Sequence, residues 1–339
     1  MTILVTGGNG YLGGLVAGRY GQMGHEVLAP GRAQVDLTAP DPFACVSDAE
    51  RGRITHLVHA AAVTRFDVDR DTAQAVNVEG TAKVVTFARR CPRLESLGLV
   101  STVYATGLRG GAITERLYDG DAGFANDYEW SKGQAEQRVA EVADDLPWRI
   151  LRVATVVADD PSGAVTQHNA FHDTLKLWFH GLLPLVPGDA RTRLYLVTGD
   201  FVVDAVVRLM ASAEAGGVYH LAHAASESLT LEAALDVVAD CFGSVEGFRR
   251  RGVLRPLLGD EESFELLAAG LGAFGGGMVR RSLQSVVPFA RQLFVGKELD
   301  NVRLRQVLGP SYRAPDAAEL VRRTCDALVT TRWGRHAVA

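Results

Sequence analysis

Cysteine is scarce in this chain, and its few copies lie far apart. Cys45, Cys91, Cys241 and Cys325 are the only four in 339 residues, and no two have the spacing of metal ligands. That excludes a dense disulfide framework and a cysteine-based zinc motif. It predicts reduced core or near-surface thiols in a cytoplasmic protein with no bound metal. Long apolar runs are also missing. No stretch reaches the ~20 residues that a membrane-spanning helix requires. The opening Met1-Thr2-Ile3-Leu4-Val5 lacks a basic region followed by an apolar segment and a cleavage site, so it reads as a strand rather than a signal peptide. Excess positive charge is absent too. With 35 Lys and Arg against 40 Asp and Glu, the net charge is -5, which gives no reason to expect nucleic-acid binding. The clusters Arg249-Arg250-Arg251 and Arg280-Arg281 read as solvated faces. There is no internal repeat and no low-complexity linker.

What is present is an alternation of strands and helices. Ile3-Leu4-Val5 is a short apolar run that ends at Thr6-Gly7-Gly8-Asn9-Gly10-Tyr11-Leu12-Gly13, and a helical pattern follows through Leu15, Val16, Tyr20 and Met23. Glycines at such a junction allow a tight turn and let backbone approach a pyrophosphate, while the helix N-terminal amides face the phosphates. A dinucleotide site is therefore expected at Thr6, Gly7, Gly8, Asn9, Gly10, Tyr11, Leu12 and Gly13. The second strand, His25–Ala29, ends in Pro30-Gly31-Arg32. An acid is usual here in NAD-preferring sites. Arg32 instead suits a 2′-phosphate by charge and by its forked donors, so NADP(H) is expected over NAD(H). Asp36 and Leu37 are expected beside the adenine.

A third strand, Ile54–His59, runs into Ala60-Ala61-Ala62, whose small side chains would let a cofactor pass. His59 reads as structural. Residues 69–90 read as one long helix, with Asn77 an unfavourable choice for its interior. A fourth strand ends at Ser101-Thr102, where a hydroxyl sits at the ligand-binding end of a parallel sheet. Residues 106–127 read as a mobile, glycine-rich loop. Then comes Asp127-Tyr128-Glu129-Trp130-Ser131-Lys132, opening a helix. Positions four apart share a helix face, so Tyr128 and Lys132 can enter one cleft, and a neighbouring ammonium would lower the phenol's pKa. A fifth strand, 148–153, completes a pattern that predicts an α/β fold: a Rossmann-type, doubly wound parallel sheet.

Beyond residue 160 the alternation weakens. Phe171, Leu175, Trp178 and Phe179 lie at helical spacing, either as core or as a pocket lining. The expected division is a dinucleotide domain at 1–160 that also receives 197–222. A smaller, mainly helical substrate-binding portion would take 161–196 and 223–339. Residues 244–295, with glycines at 270, 272 and 275–277, read as an apolar lid over a hydrophobic substrate, as an amphipathic surface for a partner or membrane, or as an ordinary helical subdomain.

Taken together, the glycine turn, Asp36-Leu37, His59-Ala60-Ala61, Asn77-Val78-Glu79-Gly80-Thr81, Ser101-Thr102 and the Tyr128/Lys132 pair resemble the short-chain dehydrogenase/reductase superfamily in its extended form. The resemblance covers roughly the first two-thirds of the chain. It implies that Thr102 polarises a carbonyl and Tyr128 transfers the proton. It also implies that Lys132 binds the ribose and lowers the pKa of Tyr128, and that Asn77 matches a water-relay position. Ser101-Thr102-Val103-Tyr104 and the run from Tyr128 to Glu136 look closest to the thioester-reductase or male-sterility-like branch. That branch reduces acyl thioesters to aldehydes or reduces related carbonyls, so the substrate could arrive on coenzyme A or on an acyl carrier protein. The alternative is the nucleotide-sugar branch, which often has an Asn shortly after the Arg of the fifth strand. Here that segment reads Arg152-Val153-Ala154-Thr155. A non-catalytic dinucleotide-binding protein stays open as a third reading. In similar proteins the helices around 70–90 and 129–143 pair in homodimers.

Overall fold

A computed structural model describes residues 1–118, 122–142, 145–213, 216–270 and 287–334. Its centre is a six-stranded sheet of β1 (Thr2–Thr6), β2 (Glu26–Leu28), β3 (Ile54–His59), β4 (Ser96–Thr102), β5 (Trp148–Val153) and β6 (Gly217–Leu221). The order is β2-β1-β3-β4-β5-β6, and every pairing is parallel. All residues of β1, β3 and β6 are buried, as expected for apolar strands covered by helices on both faces. After β1 the chain passes to β2 on one side, and β3 then docks on the other. That reversal opens a crevice at the carboxyl ends of β1 and β3, where such sheets bind ligands.

The 69–90 segment is helical throughout but not uniform. Asp69 caps its start by accepting from Thr72 N at 2.8 Å. Regular turns at Arg70–Ala73 and Gly80–Arg89 flank a π-helical stretch, Gln74–Glu79. Such bulges are rare and gather at functional sites, and this one carries Asn77. The 106–127 loop is also more ordered than its glycines suggest. Gly111–Ile113 forms a strand that pairs in parallel with Lys297–Leu299. The C-terminal third thus straps the segment that precedes Tyr128.

The described part of that third is built on the helices Ala170–Phe179, Leu231–Ser244 and Ala317–Thr330. They enclose a core that includes Trp178, Phe242, Phe248 and Trp333. Most of the glycine cluster expected in a lid, at 272 and 275–277, lies outside the described residues, as do Arg280 and Arg281. Cys241 and Cys325, remote in sequence, both pack into this core as free thiols. Among the described residues no helix is long and apolar enough to cross a membrane.

Candidate active site

The glycine turn is built to hold something close to its backbone. Gly7 has φ +73°, and a Cβ there would lie 2.8 Å from Ala61 N across the crevice. A Cβ at Gly13 would lie 2.2 Å from Gly7 O. The helix Tyr11–Gln22 follows with Gly10 at its N-cap, no side-chain cap and no acid in the first turn. Its first amides are free to meet an anion. This cradle and donor set fit a dinucleotide pyrophosphate. Gly7, Gly10, Tyr11, Leu12, Gly13, Ala60 and Ala62 line one side of a cavity of about 490 Å³. Thr6, Gly8, Asn9 and Ala61 support the turn instead of lining the cavity. Thr6 Oγ1, for example, lies 2.7 Å from His59 Nδ1 and accepts from Ala61 N at 3.3 Å. Arg32, Asp36 and Leu37 are not in the lining. Arg32 is exposed, Asp36 closes a turn onto Thr38, and Leu37 packs in the core.

The same cavity takes in Thr102, Tyr128 and Lys132. Thr102 ends β4, and its hydroxyl stands beside the Tyr128 phenol. The lowering of the phenol's pKa expected from Lys132 is not what the structure shows. Burial, and secondarily the Glu129 charge, hold the Tyr128 phenol above its ordinary value, while the neighbouring Thr102 hydroxyl works the other way. Lys132 is itself buried, which brings it down to about 8 against the opposing Glu136 carboxylate. Its Nζ donates to Val100 O at 2.8 Å. Tyr128 is therefore held protonated, ready to donate.

Asn77 lies behind the cavity and is absent from its lining. Its Nδ2 donates to Val63 O at 2.9 Å and to Ser131 Oγ at 2.8 Å, and its Oδ1 accepts from Val63 N at 2.8 Å. Both amide hydrogens are spent on tying the π-helical stretch to the post-β3 loop and the Tyr128 helix. Ser131 Oγ in turn donates to Tyr128 O at 2.8 Å. The side chain is a positioning group, and a water relay through it has no free donor. His59 is fully buried, its Nε2 3.1 Å from Thr81 Oγ1, and burial pushes its pKa down to about 3. It is neutral and structural.

Glu129 and Gln292 also line the cavity, and neither stands out in the sequence as a site residue. Glu129 has a partial signal. Asn126 and Glu129 form a capping-box pattern, with Glu129 N donating to Asn126 Oδ1 at 2.9 Å and Asn126 Nδ2 donating to Glu129 Oε1 at 3.2 Å. Burial raises its carboxyl to about 7, opposed first by the bond from Gln292. Gln292 comes from a short 3-10 turn, Arg291–Phe294, and has no local signal at all.

The family model described as "Male sterility protein" matches residues 47–206. "Fatty acyl-CoA reductase wat" of Drosophila melanogaster is 27% identical over 213 residues, 52% of this chain and 41% of that protein. The terminal R domain from the myxalamid PKS-NRPS biosynthetic pathway superposes with a TM-score of 0.76 at 21% identity, covering 99% of this chain and 92% of that one. The enzyme WbmG of Bordetella bronchiseptica, solved with NAD and UDP, gives 0.67 at 18% identity, over 97% and 94%. The chain is similar to these proteins in the extended short-chain dehydrogenase/reductase pattern. It spans about half the length of the curated relatives it matches.

Away from the glycine turn the cavity is chiefly apolar. Beyond Tyr128 it is walled by Phe171, Leu175, Trp178, Leu235, Phe289 and Leu293, among others. Phe179 belongs to the aromatic core instead, 5.1 Å from Phe242 between ring centroids. Lys132 is the one cation among the described lining residues. Beneath the site, Arg152 and Glu136 form a buried ion pair at 2.6 Å, and Ser101 Oγ donates to Glu136 Oε1 at 2.5 Å. That network fixes the end of β4 on which Thr102 stands.

Proposed function

We propose that this chain is an NADPH-dependent reductase of a carbonyl on a hydrophobic acyl substrate. The observation that carries the proposal is the continuity of the Thr102–Tyr128 pair with the apolar chamber in one cavity. The glycine turn would hold a nicotinamide dinucleotide, which would supply a hydride when bound. Thr102 and Tyr128 offer hydroxyl hydrogens to the carbonyl oxygen as charge develops there, and Tyr128 gives that oxygen its proton. Lys132, cationic below about pH 8, holds the ribose and keeps positive charge at the site. A thioester would give a hemithioacetal that collapses to an aldehyde, and a ketone would stop at an alcohol. The same residues serve both.

A thioester substrate would come on coenzyme A or on an acyl carrier protein, in keeping with the named relatives. Arg32 supports the NADP preference, because an exposed guanidinium at the end of β2 can pair with a 2′-phosphate. A nucleotide sugar suits this chamber poorly: a diphosphate calls for several cations or amide donors, and the lining is chiefly apolar. Pairing of two copies through the helices Gly80–Arg89 and Asp127–Val142 is proposed by family likeness alone. The test is NADPH consumption against acyl-coenzyme A thioesters and hydrophobic ketones, with products identified by mass. Aldehyde or alcohol formation that is lost in Tyr128→Phe supports the proposal. Turnover of nucleotide sugars alone would overturn it.

A further inference from the structure

Phe171, Leu175 and Trp178 fall on one face of the helix Ala170–Phe179, and all three line the cavity. At ~1.5 Å per residue that face runs about 10 Å from Phe171 to Trp178. Phe171 is half-buried, Leu175 is 5% exposed and Trp178 is 2% exposed. The face thus descends from the outer part of the chamber into its interior. Leu183, Val186, Leu235 and Val238 add a buried, wholly apolar lining.

A second cavity, of about 310 Å³, adjoins Trp178. Its wall includes Ala239, Phe248, Arg249, Val253 and Arg255. Arg249 and Arg255 are exposed, so this cavity opens to the surface. Among the described residues, Trp178 is the one side chain that lines both cavities. The indole is therefore a partition, with the apolar chamber on one side and open volume on the other.

Indole is a poor choice for plain core at this position. Its Nε1 is buried without a hydrogen-bond partner, a cost that phenylalanine or leucine would not carry. Its ring meets Phe242 edge-on, 5.8 Å between centroids, and phenylalanine could make the same kind of contact. What indole adds is breadth, and a partition between two cavities needs breadth.

We propose that Trp178 is the floor of the chamber and sets the longest acyl chain that the site accepts. A chain that reaches the indole has no further apolar surface to bury, although open space lies beyond it. The inference deepens the proposed function and rests on it for the acyl nature of the substrate.

The test uses straight-chain saturated acyl pantetheine thioesters, from butanoyl to tetradecanoyl, with the full chain in the presence of NADP. Dissociation constants are measured by titration, and reduction is followed separately by NADPH consumption. Wild-type affinity is expected to rise about fourfold per added methylene and to stop rising at one chain length. Trp178→Leu is expected to move that limit to longer chains. In this variant, a thioester two methylenes past the wild-type limit gains about 10- to 20-fold over the one at the limit, and in wild type it gains nothing. Trp178→Phe keeps an aromatic ring in the core and moves the limit the same way by less, so it carries the test if Trp178→Leu does not fold. A wild-type series without a limit overturns the proposal. So does a limit that stays fixed in the folded variants while all lengths weaken together, which would make Trp178 core alone. If the limit moves but no thioester is reduced, the floor stands and the reductase reading falls. If none binds, both fall.

Discussion

Gln292 and Glu129 are 163 positions apart, yet a 2.7 Å hydrogen bond joins them at the wall of the cavity. The bond couples the helix that carries Tyr128 to a turn in the C-terminal third, and it braces the buried carboxyl that follows Tyr128 in the chain.

Stability should therefore fall as pH rises through neutrality. Burial raises the Glu129 carboxyl from 4.5 to about 7, so between those values the folded state binds more protons than the unfolded state. The contribution is fully present below about pH 4.5 and is lost as pH passes through about 7. Glu115, raised to about 7 chiefly by burial, adds a slope of the same sign. Glu129→Gln should flatten the curve and gain up to about 3 kcal/mol at pH 8. Urea midpoints from pH 4 to 8 would show this, and parallel curves for the two proteins would refute it.

Tyr128→Phe should lower kcat about 100-fold or more while dinucleotide affinity stays within about twofold. In the proposed reaction the hydroxyl donates, whereas the ring only fills space. A variant with wild-type turnover would remove Tyr128 from the chemistry.

Activity should also decline on the alkaline side with an apparent pKa of about 8, as Lys132 loses its charge. The profile of kcat/KM from pH 6 to 10 reports it. A flat profile would mean that the Lys132 charge is dispensable.

Arg32→Ala should reduce the preference for NADPH over NADH by about tenfold, the worth of a charge-assisted pair. The side chain is exposed, so the fold should tolerate the change. Equal ratios of kcat/KM before and after would show that Arg32 does not meet the 2′-phosphate.

The Arg152–Glu136 pair, 1% and 2% exposed, should be costly to break and cheap to replace. Glu136→Ala should lose about 3–5 kcal/mol because it strands a buried guanidinium. Arg152→Met with Glu136→Leu should recover most of that loss. Chemical denaturation of the three proteins decides it, and a double variant as unstable as the single one would contradict the argument.

The fold and half of the site could be read from the chain because their signals are local. Ile3-Leu4-Val5 with its glycines, and Tyr128 with Lys132, are patterns of adjacent or helically spaced residues. Asn77 was marked by its poor fit to a helix interior, and it sits in the π-helical stretch. Its exact duty was not readable, because that depends on Val63 and Ser131. The direction of the Tyr128 shift was misjudged because charge proximity can be guessed from spacing and burial cannot. Gln292 and Lys297 reach the site only through contacts more than 160 positions long, which no local periodicity records.

The strand Lys297–Leu299, which pins Gly111–Ile113, also has a bearing on biosynthesis. Lys297 meets Arg109 O across 188 positions. A ribosome adding roughly 5–20 residues per second takes about 10–40 s to cover that distance. Through that interval the nascent Tyr128 helix has neither its strap nor the partner of Glu129. This wall of the cavity is completed late in translation, and a chain halted before residue 292 would carry the Tyr128–Lys132 motif without the braces that hold it.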